Sequence, residues 1–241
     1  MKKAIKILCV ISLVILLALM VCVTYFMQSS YSAGEVSAFA IQSDEAVTVM
    51  QEDGYIVFLP EQPQTAFVFY PGGSVEHTAY APLLRKLAEN HILCILVEMP
   101  MDLAILDMYA AEDIPERYPE ITNWFIGGHS LGGSSASYHL NKTEDDYRGL
   151  VLLASYSTVD LRNSGLKVCS LYGSEDGILN MENYQSNKSN LPADFEELII
   201  DGGNHSLFAD YGQQKNDGIP TITAEEQIGI TTDFLVRFFA N

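Results

Sequence analysis

From residue 46 onward the chain alternates between short apolar runs and segments whose apolar residues recur every third or fourth position. Residues 46–50 and 55–59 flank Glu52-Asp53-Gly54 and read as a β-hairpin. Residues 66–70 form an apolar strand that stops at Pro71-Gly72-Gly73. Residues 78–89 place Leu83, Leu84, Leu87 and Ala88 on one helical face, and Asn90 ends that pattern. The run 92–97 is almost entirely apolar, as a strand covered on both faces must be. A helix is expected at 103–111, a strand at 124–126 and a helix over 134–140. Buried strands follow at 150–154 and 168–172, then a helix near 178–187 and a short strand at 198–200. Thr223 and Glu226 form a capping box for a closing helix, whose stripe is Ile228, Phe234, Leu235, Phe238 and Phe239. This alternation predicts an α/β domain with a mostly parallel sheet and helices on both faces. No insertion between the elements is long enough to form a separate cap domain.

The N-terminal pattern is different. Residues 4–27 are apolar apart from Lys6, Ser12 and Thr24, which is long enough to span a bilayer. Lys2, Lys3 and Lys6 precede or open the run and hold the N-terminus in the cytoplasm. A cleaved signal peptide is the rival reading, but its apolar core would be shorter. The Ala-x-Ala sequence Ala38-Phe39-Ala40 lies well beyond the run. Cys22 lacks the small preceding residue that a lipoprotein signal needs. The expected organisation is a signal anchor at 1–27, a polar linker at 28–43 and a folded domain at 44–241, carried outside the cytoplasm.

Charge and cysteines narrow the function classes. The net charge is −18, and with Lys2, Lys3 and Lys6 set apart the remainder carries 10 basic and 31 acidic residues, a net of −21. Such a surface repels nucleic acid and anionic headgroups. Cys94 and Cys169 sit inside apolar strands and read as buried free thiols. No Cys/His cluster has zinc spacing.

The chemistry is concentrated at Gly127-Gly128-His129-Ser130-Leu131-Gly132-Gly133. A Gly-x-Ser-x-Gly between a strand and a helix is the pattern of a nucleophile elbow, where a strained turn presents the serine at a helix N-terminus. A serine hydroxyl needs a base, and the base needs an acid to orient it. In sheets of this kind the three follow in the order Ser, Asp or Glu, His. After the strand at 168–172 comes Gly173-Ser174-Glu175-Asp176-Gly177, making Asp176 the candidate acid; Asp160, after the preceding strand, is the rival. After the last strand comes Gly202-Gly203-Asn204-His205, and His205 is the candidate base. His129 is expected to pack, and His139 to point away on the helix behind the elbow. An oxyanion needs two backbone N–H donors. Leu131 supplies one, and the turn at Pro71-Gly72-Gly73 supplies the other, from Gly73 or alternatively Ser74. Met99, Met101, Leu103 and Phe208 either line an apolar pocket or belong to the core.

These motifs together resemble the alpha/beta hydrolase fold. Tyr70-Pro71-Gly72-Gly73, Glu98-Met99-Pro100 and Tyr172-Gly173-Ser174-Glu175-Asp176-Gly177 are similar to a small, capless bacterial subgroup. Gly203-Asn204-His205 and Phe208-x-x-Tyr211-Gly212 fit it as well. That subgroup is often membrane-anchored and is related to dienelactone hydrolases, which themselves use a cysteine nucleophile where this chain has Ser130. The resemblance covers about residues 46–240. It implies an eight-stranded sheet and a Ser130–His205–Asp176 triad. The expected activity is cleavage of small-molecule carboxylic esters by a membrane-tethered, extracytoplasmic serine hydrolase, through an acyl-enzyme and without metal or organic cofactor. Acyl transfer or thioester hydrolysis would use the same triad. A non-catalytic envelope-binding protein would use only the scaffold. The bilayer is an expected partner through the N-terminal segment, nucleic acid is not, and oligomeric state is not encoded in any pattern seen here.

Overall fold

The computed structural model of the protein describes residues 11–17, 20, 30–143 and 147–240. Among these, no helix is long and apolar enough to cross a membrane. The segment 4–27, expected from its composition to be an anchor, lies for the most part outside the described residues.

Eight strands form one sheet: β1 (Val47–Glu52), β2 (Tyr55–Pro60), β3 (Thr65–Tyr70), β4 (Ile92–Val97), β5 (Asn123–His129), β6 (Gly149–Leu153), β7 (Lys167–Gly173) and β8 (Glu196–Ile200). Their order is β1-β2-β4-β3-β5-β6-β7-β8. β1 and β2 form the expected hairpin, with Glu52 opposite Tyr55 across a turn in which Gly54 takes φ 86°. β2 runs antiparallel to β4, and the strands from β4 to β8 are parallel to their neighbours. The strands β3 to β6 bury every residue but Thr65 and Asn123, because alternate side chains enter two separate cores. Phe67, Phe69, Leu96 and Leu171 pack with Leu83, Leu87, Leu235 and Phe238 on one face. Val68, Ile95, Ile126 and Leu152 pack with Ala136 and Leu140 on the other. A capping box closes the first turn of the last helix, Ala224–Ala240: Thr223 N–H donates to Glu226 Oε2 at 2.7 Å, and Glu226 N–H donates to Thr223 Oγ1 at 3.2 Å.

This topology decides where a site can form. From β3 the chain steps outward to β4, then returns past β3 to lay down β5. The order reverses between β3 and β5, and ligands bind beyond the carboxyl ends of strands at such a switch point. The Pro71-Gly72-Gly73 turn leaves β3 there, and Ser130 leaves β5 beside it.

Two expectations are corrected. No α-helix forms at 103–111, where the backbone makes short 3-10 turns, including Ala104–Leu106. Buried tyrosines take the peptide groups that a helix would have paired internally. The Tyr70 hydroxyl donates to the Met108 carbonyl at 3.0 Å and accepts the Ala111 N–H at 3.1 Å, and Tyr147 donates to the Ala111 carbonyl at 3.4 Å. The stretch 28–43 is not a free linker over its described part. Tyr31 pairs with Val75 in a parallel bridge, and Glu35–Ala40 is a short helix that buries Ala40 in the core. Asp210 holds that helix by accepting the Ser37 N–H at 2.8 Å and the Ser37 hydroxyl at 3.1 Å. Polar, small residues read as a linker because the partners that order them lie far along the chain.

Candidate active site

β5 ends at His129, and Ser130 follows with φ 52°, a left-handed conformation that costs a non-glycine residue roughly 1–3 kcal/mol. Several contacts hold it. Ser130 N–H donates to the Leu153 carbonyl at 2.9 Å, and Ser155 Oγ donates to the Ser130 carbonyl at 2.6 Å. Gly128 and Gly132 are required by close approach, since a Cβ on either would run into the Tyr70 carbonyl oxygen at the end of β3. The helix Leu131–Thr143 starts at the next residue. Its first-turn N–H groups have no intrahelical acceptor, and its positive end lies at the serine.

Asp176 and His205 meet although they leave different strands. His205 Nδ1 lies 2.9 Å from Asp176 Oδ2, and the two side chains are 2% and 1% exposed. Asp176 Oδ1 is aimed by the N–H groups of Ile178 and Leu179, at 2.8 and 2.7 Å. With Oδ2 on Nδ1, the imidazole keeps Nε2 free to accept a proton. Ser130 and His205 line one cavity of about 260 Å³, together with Leu131, Tyr156, Ile178 and Leu179. Ser130 Oγ makes no hydrogen bond among the described residues, and contacts of this kind tighten when substrate binds.

The rival acid is elsewhere. Asp160 is half exposed and forms a bidentate pair with Arg162, whose hydrogen bonds hold its carboxyl at about 2. His139 is buried against Tyr70 and Met108. Of the residues considered for a pocket wall, Met99 and Phe208 are core, and Leu103 packs at Gly73. Among the described residues, no group of three or more His, Cys, Asp or Glu could hold a metal ion.

The turn after β3 separates its possible oxyanion donors. Gly72 N–H is taken by the Tyr80 hydroxyl at 3.0 Å, and Ser74 N–H by the Asp102 carbonyl at 2.9 Å. Gly73 N–H has no acceptor among the described residues, and Leu131 lies directly against Gly73.

Sequence reasoning missed several residues that hold this arrangement. The Tyr80 hydroxyl, which accepts from Gly72, also donates to His129 Nδ1 at 2.8 Å. Burial first, and the nearby His205 second, pushes His129 far below the usual histidine range, so it stays a neutral ring. That ring packs on His205 with centroids 4.4 Å apart. Tyr80 thereby ties the turn after β3 to the wall behind the candidate base. Asp217 accepts the N–H of Gly177 at 3.1 Å, the N–H of Ser206 at 2.9 Å and the Ser206 hydroxyl at 2.6 Å, joining the loops of Asp176 and His205. Gln227 brackets Asn204, accepting its N–H at 3.0 Å and donating to its carbonyl at 2.9 Å. The only sequence signal for Asp217 was an Asp-Gly pair in a long polar loop, and Gln227 gave none.

A test of the tyrosine follows. Tyr80→Phe leaves a buried N–H and a buried ring nitrogen without partners, which costs about 1–3 kcal/mol each. A lower Tm is expected, with a fall in kcat of about tenfold, the value of 1.4 kcal/mol in a barrier. Unchanged Tm and kcat would show that the bridge organises nothing.

The profile of the Alpha/beta hydrolase family matches residues 66–229, and the chain belongs to that family. The match spans every residue of the candidate site named above. Similar solved structures include naproxen esterase (carboxylesterase NP) from Bacillus subtilis, at 13% identity and TM-score 0.59, covering 85% of this chain and 94% of that one. Est1E from Butyrivibrio proteoclasticus is 13% identical with TM-score 0.57, covering 82% and 100%. Paleococcus ferrophilus monoacylglycerol lipase is 14% identical with TM-score 0.59, covering 79% and 99%. At these identities the likeness is one of fold. No curated protein sequence matches the chain. Hydrolase chemistry is the class that the family supports.

Proposed function

We propose that this chain is a serine hydrolase of carboxylic esters, tethered to a membrane by residues 4–27 with its domain outside the cytoplasm. The observation that carries the reading is the buried His205–Asp176 pair at 2.9 Å, opening on the same cavity as a strained Ser130. Ser130 Oγ attacks the acyl carbon as His205 Nε2 takes its proton. Gly73 and Leu131 N–H stabilise the oxyanion. The C–O bond then breaks, the alcohol leaves with the proton from His205, and an acyl-serine remains. Water, deprotonated by His205, releases the carboxylic acid and restores the serine. Asp176 holds the tautomer and stabilises the imidazolium throughout. The esterases and lipase named above lend support at the level of substrate class.

A panel of p-nitrophenyl esters of increasing acyl length tests the activity. The cavity is slightly smaller than common ligand sites, which run from about 300 Å³ upward. The acetate and butyrate should therefore turn over. No hydrolysis of any member by folded protein would sink the reading and favour a binding function.

The tether rests on the length of the apolar run and its leading lysines. The fold adds support, because cleavage after Ala38-Phe39-Ala40 would remove a helix that packs on the domain. Protease added to intact protoplasts should digest the domain and leave a membrane-bound stub. A domain that stays protected would overturn the orientation.

A further inference from the structure

The place where the N-terminal segment joins the domain is unusual. Tyr31 lies between the two loops that frame the candidate site. Its N–H donates to the Ser74 carbonyl at 2.8 Å, and its carbonyl accepts the Glu76 N–H at 2.9 Å, directly after the turn that holds Gly73. Its hydroxyl accepts the Lys215 N–H at 3.0 Å, and its ring packs 5.5 Å from Tyr211, both on the loop that follows His205. Glu76 Oε2 accepts the Ala33 N–H at 3.0 Å, and the Asp210 carbonyl accepts that of Gly34 at 2.7 Å. The chain is thus pinned to the carboxyl edge of the sheet, where the cavity opens, and not to the opposite edge.

The distance from the apolar run is short. From Met27 to Tyr31 an extended chain reaches at most about 14 Å. The polar layer of a bilayer adds roughly 5–8 Å on each side of its hydrocarbon. With residues 4–27 in the membrane, Tyr31 sits at or just outside the headgroups, and with it the Gly73 turn, whose neighbour Leu131 lines the cavity.

The same edge exposes apolar side chains. Met101, Ile105 and Leu106 are 38%, 55% and 55% exposed on the segment whose Leu103 packs against Gly73. Met181 and Ile219 are 38% and 85% exposed beyond the ends of β7 and β8. Apolar side chains suit hydrocarbon, and the chain's net charge of −18 disfavours anionic headgroups.

We propose that the mouth of the Ser130 cavity faces the bilayer that anchors the chain, and that its substrate is an uncharged lipid ester resident in that bilayer. The inference rests on the ester-hydrolase reading and on the tether. The ester-bearing end enters the cavity while the hydrocarbon stays among Met101, Ile105, Leu106 and the lipid. The short connection makes encounter intramolecular and supplies the effective concentration that an acidic surface could not gain by free binding.

The test uses the full chain reconstituted into phosphatidylcholine vesicles containing diacylglycerol, beside the same chain with a flexible Gly/Ser spacer of about 20 residues inserted between Met27 and Gln28. Such a spacer lets the domain wander by about 25 Å. Turnover of p-nitrophenyl acetate, added in solution, reports folding and chemistry in both proteins. The expected result is equal turnover of the soluble ester and a loss of at least about tenfold on diacylglycerol in the spacer protein. Equal diacylglycerol turnover by both proteins, or soluble-ester turnover with none on diacylglycerol, would overturn the inference and leave the hydrolase reading standing. Loss of both activities in the unmodified chain would overturn the hydrolase reading first.

Discussion

Ser130→Ala is expected to lower ester turnover by about 10⁴–10⁶, the scale on which loss of a triad nucleophile is felt. Replacing one oxygen removes the only atom at the elbow that can form the acyl bond. The fold should survive, because the backbone contacts that hold φ 52° come from Leu153 and Ser155 and remain in place. A fluorophosphonate probe supplies a second reading. It should label wild type at Ser130 alone, and the variant not at all. Full turnover in the alanine variant would remove the nucleophile assignment. Labelling of another serine would move the site.

Asp176→Asn is expected to cut turnover by about 10⁴ with little change in Tm, as the corresponding change does where a buried aspartate orients a catalytic histidine. An amide nitrogen facing Nδ1 would favour the tautomer with its proton on Nε2, which cannot accept from Ser130. The Asn side-chain oxygen can still take the Ile178 and Leu179 N–H groups, so the loop should stay closed. Asp160→Asn is the matched control. Its carboxylate is half exposed and bound to Arg162, so its loss should change turnover by less than about twofold, in keeping with the small worth of surface ion pairs. Kinetics on both variants decide between the two acids. A larger loss at Asp160 would reverse the assignment.

The site was legible in part because each of its members sits just after an apolar run. Strand ends are readable from local hydrophobicity. In a parallel sheet, strand ends all point to one edge, so the chain alone sufficed to place Ser130, Asp176 and His205 near one another. Their actual meeting, His205 on Asp176 and in the cavity that Ser130 lines, depends on β7 and β8 lying next to one another beyond β6. The sequence favoured Gly73 as donor with Ser74 as alternative. What engages the Ser74 N–H, the Asp102 carbonyl, comes from a loop that follows another strand and was not legible.

The misreadings have the same physical origin. Residues 103–111 carry apolar side chains at helical spacing, yet Tyr70 and Tyr147 draw their peptide groups into other bonds. Residues 28–43 read as a linker because nothing nearby orders them; Glu76, Asp210 and Lys215 order the described part from far along the chain.

The sequence by itself determined the alternation of strands and helices, the elbow around Ser130, the order of its two partners and the capping box at Thr223. Each of these rests on neighbours within a few residues, where backbone geometry and hydrophobic period act directly. Only the tertiary structure decided the Tyr80–His129 bridge, the Asp217 clasp and the seat of Tyr31 between Ser74 and Lys215. Those are hydrogen bonds between groups brought together by the crossing of the chain at β3 and β5. A lone hydroxyl or carboxylate carries no local mark of the partner it will find.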